Sequence, residues 1–422
     1  MSKLTKSGVD RAQPKASPYF IWCSELAGFG VRIYPSGTKS YYADYYNKGR
    51  QRNRISIGSH GKLTTEEARK EARIILAGAL KGEDAALERR TRRTSLTVAE
   101  LCDDYLVAAR KGLVLGRKRK AKKPSTLSTD EGRITRHIKP LLGRKLVIDI
   151  TSADIQKFIW DVTLGKTATT QPSPNKHGKI VVTGGPGTAS RTAGLLSGIL
   201  TYAKNSGIIG ANPAFGVPRP ADNKRHRRLT PDEYKQLGDV LRDAQDQIPQ
   251  AREGIWLLAL SGARIGEVEA LSWSALQIHR KTAILEDTKA GRSLRPFSDA
   301  ALAVLYRLRS LGNRSYVLPG VRKKDGHYGG LDNAVTRIMA RAKLPGVTAH
   351  TLRHSFASIG NDLGYTESTI GAIIGHGTHT MTADYIHHLD PVLVAAANTI
   401  AKEVFRQMLE GTGSGAAPAG SY

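Results

Sequence analysis

The chain has 422 residues, 40% of them hydrophobic, and sets 64 Lys and Arg against 37 Asp and Glu for a formal net charge of +27. That length accommodates several domains, each with its own core, and so large a positive excess calls for a polyanionic partner. No apolar run approaches the ~18 residues of a membrane span, the start MSKLTKSGVDRAQPKAS lacks the apolar core of a signal peptide, and Cys23 and Cys102 fall in different expected domains, which argues against a disulfide framework and for a reducing cytoplasm.

The charge is unevenly spread. Residues 1–93 hold 19 basic and 9 acidic groups, residues 94–228 hold 24 and 9, and residues 229–422 hold 21 and 19. The positive field therefore sits on the first half, a gripping part set apart from a nearly neutral working part. A uniformly cationic packing protein would not show this split.

Residues 1–17 read as a disordered N-terminus. Within 18–90, Phe29 to Tyr34, Lys39 to Tyr46 and Arg52 to Ile57 are expected as three antiparallel strands separated by Pro-Ser-Gly and Asn-Lys-Gly turns. Arg50, Arg52 and Arg54 are expected on one face, able to enter a groove, with Ile55 and Ile57 on the other. A solvated basic edge that discourages aggregation is the competing reading. Thr64 and Glu67 form a capping box that opens a helix through Leu80, whose Ala68, Ala72, Ile75, Leu76 and Ala79 cover the sheet.

Residues 94–215 read as a helical domain. Thr97 and Glu100 make a second capping box, and Val98, Leu101, Cys102, Tyr105 and Ala109 a helical stripe. The run RKGLVLGRKRKAKK at 110–123 has eight basic groups and no acid, too charged to pack and suited to phosphate contact through Arg117, Lys118, Arg119, Lys120, Lys122 and Lys123; a mobile linker is the alternative. Further helices are expected from Ser125 to His137, from Ala153 after a Ser152 cap, and from Thr188 to Asn205, interrupted by a Thr-, Pro-, Gly- and Lys-rich insertion at 163–187.

Residues 216–228 are a proline-broken basic linker in which Arg225, Arg227 and Arg228 can lie against a phosphate backbone. In 229–408, Thr230, Pro231 and Glu233 start a helix, an apolar helix ends at SGAR with Arg264 on a turn, and Glu267 is spaced to hold that guanidinium. Ile278 to Glu286 and Ser293 to Phe297 alternate as strands around a turn bearing Lys289. If His350 to His354 open a helix, His350, Arg353, His354 and Ala357 share a cationic face that must meet solvent or an anion, opposite Leu352, Phe356 and Ile359. Histidines four apart, or His376, His379, His387 and His388, raise the question of a metal, but no cysteine is nearby and the glutamate of HExxH is missing. Residues 409–422 read as a disordered tail.

The ordered series SGARIGEVEAL, TKAGRS, HTLRHSFAS and GHGTHTMTADYIH, at Ser261, Thr288, His350 and Gly375, resembles the catalytic blocks of the tyrosine recombinases, the phage integrase family. Serine at 261, where threonine is commoner, is a small departure. The resemblance covers the chain except 1–17, the insertion and the tail after about residue 409. It implies an α+β multidomain fold: a sheet-plus-helix arm-site binder like that of prophage and genomic-island integrases, a helical (SAM-like) core-site binder, and a mainly α catalytic domain with a small β-hairpin or sheet. It implies Arg264, Lys289, His350, Arg353, His376 and Tyr385 as the active residues, a homotetramer on two DNA duplexes with the C-terminal helix after Pro391 in subunit contact, accessory DNA-bending or directionality proteins, and a place on the nucleoid of a bacterial host.

The chemistry is coherent on its own terms. A phosphodiester repels nucleophiles, so fixed donors must stand where charge builds up, and two arginine forks supply them. A phenol of ordinary pKa near ~10 needs a proton acceptor or nearby cations, so Tyr385 as nucleophile calls on a base, for which His350 is the better candidate. His376 would hydrogen-bond the phosphate and Lys289 protonate the departing 5′ oxygen. The 3′-phosphotyrosine keeps the bond energy for religation, so neither metal nor ATP is required, in keeping with the lack of a phosphate-binding GxxxxGKS or GxxxxGKT loop. A type IB topoisomerase shares this chemistry, and a regulator with a dead catalytic fold is the alternative from another class.

Overall fold

In the computed structural model, residues 3–116, 119–173, 178–221, 227–288, 291–310, 314–321, 326–375 and 390–410 are described. Two compact units divide the chain, residues 1–223 and 224–422.

The first unit has a helix α1 (Lys6–Arg11), so the described part of the stretch 1–17, from residue 3, is not the disordered leader its composition suggests. Leu4 and Val9 are buried in the core of the following sheet, and Asp10 meets His60 Nε2 at 2.6 Å while His60 Nδ1 meets the Tyr41 hydroxyl at 2.7 Å. The sheet has four strands rather than three, in the order β1 (Tyr19–Trp22), β2 (Phe29–Ile33), β3 (Lys39–Tyr46) and β4 (Arg52–Ser59), all antiparallel. Alternation sends Phe29, Val31, Ile33, Tyr41, Ala43 and Ile55 inward against α2 (Thr65–Leu80), whose Thr64–Glu67 capping box is formed as the sequence indicates. Helix α3 (Ala85–Thr94), capped by Asp84, follows; its AALERRTRRT sequence buries no residue, so no apolar periodicity announces it.

A separate core gathers around α4 (Val98–Arg110), α6 (Lys139–Leu142), α7 (Ser152–Thr163) and α8 (Pro186–Asn205), with α5 (Pro124–Arg133) lying against α4. The cap of α7 is Thr151, one residue before the expected Ser152. Between α5 and α6 the chain makes a π-helical turn, Ile134–Ile138, which rotates His137 inward, 2.6 Å from Thr167 Oγ1. The insertion forms a hairpin, β5 (Thr169–Pro172) with β6 (Lys179–Val182).

In the second unit, α9 (Pro231–Asp243), α10 (Pro249–Ser261), α12 (Asp299–Arg309), α13 (Leu331–Arg341), α14 (Ala349–Asp362), α15 (Glu367–Ile374) and α16 (Asp390–Glu410) enclose one large core, with the short α11 (Ile265–Glu269) beside α10. Three strands, β7 (Leu276–Gln277), β8 (Thr282–Thr288) and β9 (Gly291–Pro296), form a small antiparallel sheet. Ile278–Arg280, expected in a strand, is a 3₁₀ turn ended by Lys281 at φ +54. The architecture is α+β, and among the described residues no helix is long and apolar enough to cross a membrane.

Candidate active site

Three helix ends and one strand meet in the second unit. Helix α10 stops at Gly262 (φ +58) and α15 at Gly375 (φ +72), both left-handed, where a side chain is disfavoured. Each end leaves carbonyls without helical partners. Arg353 on α14 uses them: its Nη1 donates to Gly262 O at 2.8 Å and to Ile374 O at 2.7 Å. Arg353 is 3% exposed, so of the face expected to meet solvent or an anion only His350 and His354 are exposed to solvent. The two carbonyls at those helix ends make burial feasible, but Nη2 is buried with no acceptor among the described residues. Burial, and then the neighbouring Arg264 cation, bring the Arg353 pKa down to about 10.

Arg264, the N-cap of α11, donates from Nη1 to Glu267 Oε1 at 2.7 Å, from its backbone N–H to Oε2 at 3.1 Å, and from Nη2 to Gly375 O at 3.1 Å. Burial raises the Glu267 carboxyl, but donation from Arg295 and Arg264 outweighs it and holds the group below the ordinary glutamate value. Arg295, on β9, was not singled out in the sequence: its Nη2 donates to the same Oε1 at 2.9 Å, and it is 3% exposed. Only its place in a short strand, between Leu294 and Pro296 where an apolar residue is the ordinary occupant, could have marked it.

His350 and His354, one helical turn apart on α14, face each other with Nε2 atoms 2.9 Å apart and rings edge to face. Arg264, Arg353 and Glu267 are thus brought together, with His350 one turn before Arg353. Lys289, His376 and Tyr385 lie outside the described residues, as do His379, His387 and His388; Gly375, which immediately precedes His376, is part of the cluster.

The expected DNA-contact residues fare differently. Arg50 sits in the turn before β4 at φ +57, not on the strand face. Arg52 and Arg54 do share a face, but both are held by Asp44, at 2.8 and 2.6 Å. Arg54 also lies over Phe20 at 4.3 Å, and Phe20 stacks on Trp22, giving a cationic and aromatic outer face not foreseen because β1 was missed. In the basic run, Lys122 is not free to meet phosphate: its Nζ donates to Asp130 Oδ2 and to the Tyr105 hydroxyl, each at 2.6 Å. Burial would lower the Lys122 pKa, yet those two partners raise it. Arg119 and Lys120 are exposed, Lys123 is the N-cap residue of α5, and Arg117 and Lys118 lie outside the described residues. Of the linker, Arg225 is outside the described residues, while Arg227 is paired with Glu233 and Arg228 with Asp362. A polar cavity of about 460 Å³ between α5 and the end of the hairpin is lined by Arg133, Arg136, His137 and Thr188.

Comparison with known proteins places the sequence and the fold in a family. A phage integrase family model matches residues 227–391, an Arm DNA-binding domain model residues 4–92, and a model of the phage integrase N-terminal SAM-like domain residues 115–161. The prophage integrase IntA of Escherichia coli is 24% identical over 386 residues, 88% of this chain and 86% of IntA. A tyrosine recombinase of Thermosipho africanus is 25% identical over 249 residues, 58% of this chain and 83% of that protein. Among solved structures, a lambda integrase tetramer bound to a Holliday junction shares the fold with a TM-score of 0.55 at 19% identity, covering 83% of this chain and 96% of that one; a lambda integrase dimer bound to a COC' core site gives 0.54 at 18%, covering 89% and 95%. The chain belongs to the phage integrase family of tyrosine recombinases.

Proposed function

We propose that this recombinase cleaves and rejoins double-stranded DNA through a 3′-phosphotyrosine on Tyr385 to integrate or excise a mobile element such as a prophage or genomic island. The observation that carries the reading is the buried Arg353 Nη2, a donor with no acceptor among the described residues and beside a second guanidinium; a scissile phosphate is the anion such a site is short of. In this reading Arg264 and Arg353 bind the phosphate oxygens, Glu267 orients Arg264, His350 takes the phenol proton, His376 hydrogen-bonds the phosphate and Lys289 protonates the leaving 5′ oxygen. No metal or ATP enters, because the phosphotyrosine conserves the bond.

The division of labour follows the cores. Residues 18–90 with α1 bind arm-type sites, residues 94–215 bind the core site, and residues 229–408 carry the chemistry. Lambda integrase has been seen as a tetramer on a Holliday junction, which supports a homotetramer on two duplexes here, acting in the bacterial cytoplasm on nucleoid DNA with accessory bending or directionality proteins. Arg133 and Arg136, for which no acidic partner is found among the described residues, join Arg119 and Lys120 as core-domain phosphate contacts. The test is a nicked suicide duplex bearing the core sequence found where the element joins its flanking DNA. Wild type should form a covalent adduct, and Tyr385→Phe should bind the duplex without forming one; an undiminished adduct in the variant would overturn the assignment.

A further inference from the structure

The structure gathers three guanidiniums near one carboxylate, Arg295 and Arg353 buried and Arg264 half-buried, and the function above uses only two of them. A buried strand position is ordinarily filled by an apolar side chain, and a guanidinium there is tolerated only if its donors are met. For Arg295 the two terminal nitrogens are met, Nη2 by Glu267 and Nη1 by Ser293, while Nε finds no acceptor among the described residues. The guanidinium lies against Gly375, where the Cβ of any other residue would collide with it.

Two consequences follow. First, Glu267 Oε1 accepts from Arg264 and Arg295 alike. Alone with Arg264 the carboxylate would cancel that charge; shared, it leaves three cations against one anion, a surplus matched to a phosphodiester whose negative charge grows as it is attacked. Second, the end of α15 is enclosed by arginines: Arg353 donates to Ile374 O, Arg264 to Gly375 O, and Arg295 covers the Gly375 backbone. Cations there complement the negative end of the helix dipole.

We propose that Arg295 is a positioning residue of the recombinase site: through Glu267 and Gly375 it joins the β9 strand that follows Lys289 in sequence, the Arg264 turn, and the backbone that leads into His376. It touches no substrate. The inference rests on the proposed cleavage reaction and deepens it, by making the site's geometry depend on a residue outside the six.

The experiment uses the full-length chain, the nicked suicide duplex described above, and enzyme in saturating excess, reading the rate of adduct formation separately from duplex affinity. Arg295→Met is expected to slow adduct formation by about 100-fold, the usual effect of a misplacement of order 1 Å, with affinity nearly unchanged. Arg295→Lys, which keeps charge and length but not the planar fork, should recover part of the rate. Because Arg295 acts partly through Glu267, the Arg295→Met, Glu267→Gln double variant should be slower than the slower single variant by much less than the product of the two effects. A folded Arg295→Met that cleaves at the wild-type rate, or a double variant whose losses multiply fully, overturns the proposal. If Arg295→Met does not fold, Arg295→Lys carries the decision: a wild-type rate there overturns it, and a slowed rate at unchanged affinity and melting temperature supports it. Wild type that forms no adduct would instead remove the function itself, so the two failures are told apart.

Discussion

Under the proposed function, Arg353 concentrates the conflict between stability and function in one side chain. Its unfolded guanidinium stays protonated beyond pH 12, whereas the folded one releases its proton near pH 10. The charge therefore costs stability at every pH below about 10, and the cost is relieved only as pH rises from there towards the ordinary arginine value. A bound oxyanion that accepts from Nη2 removes the cause. Inorganic phosphate should accordingly raise the melting temperature of the wild type more than that of Arg353→Met at matched ionic strength, in a thermal-shift titration near pH 7. Equal shifts would mean that phosphate acts by general exclusion from the surface, not at this site. The HxxRH spacing was visible in the sequence, but the burial of Arg353 was not: it depends on two left-handed glycines, Gly262 and Gly375, which lie 91 residues before and 22 after it and come together only in the folded unit.

Elements whose signals are local could be read in advance, and those decided by tertiary contact could not. The boxes Thr64–Glu67, Thr97–Glu100 and Thr230–Glu233 each start a helix where the sequence indicates, because both partners lie within one turn. Strand β1, Tyr19–Trp22, was missed because its four residues are uniformly half-buried and show no alternation. The π-helical turn at Ile134–Ile138 was hidden for a similar reason: its inward His137 is satisfied by Thr167, thirty residues on. The basic run 110–123 was legible as charge but not as structure, since Asp130 that holds Lys122 lies beyond it. Here a discriminating pair of substitutions exists. Lys122→Ala strands the buried Asp130 carboxylate and should destabilise the helical domain by about 3 kcal/mol, seen as a lower denaturation midpoint. Lys120→Ala should leave the midpoint unchanged and reduce core-duplex affinity. The reverse pattern would show that Lys122, not Lys120, faces DNA.

At the scale of the whole molecule, the charge excess of residues 1–228 and the near-neutrality of residues 229–422 are what the proposed division of affinity and chemistry between different parts of the chain requires. The buried clusters are divided in the same place: those built from residues 4–72, 43–55 and 98–203 share no member with the cluster of residues 229–408. Each phosphate neutralised lowers log K by about 0.9 per tenfold rise in salt, so the salt slope counts contacts and can be assigned to modules by truncation. A chain lacking residues 1–93 loses 19 basic and 9 acidic groups; it should lose binding to arm-type duplexes, yet keep both the salt slope on a core duplex and the rate of adduct formation there. Measured by fluorescence anisotropy across a salt series, a core-site slope that collapses in a folded truncation would show that the sheet domain also grips core DNA. An unchanged affinity for arm-type duplexes would assign that recognition to the helical domain, where Arg133, Arg136 and the hairpin wall would then be the surface to mutate.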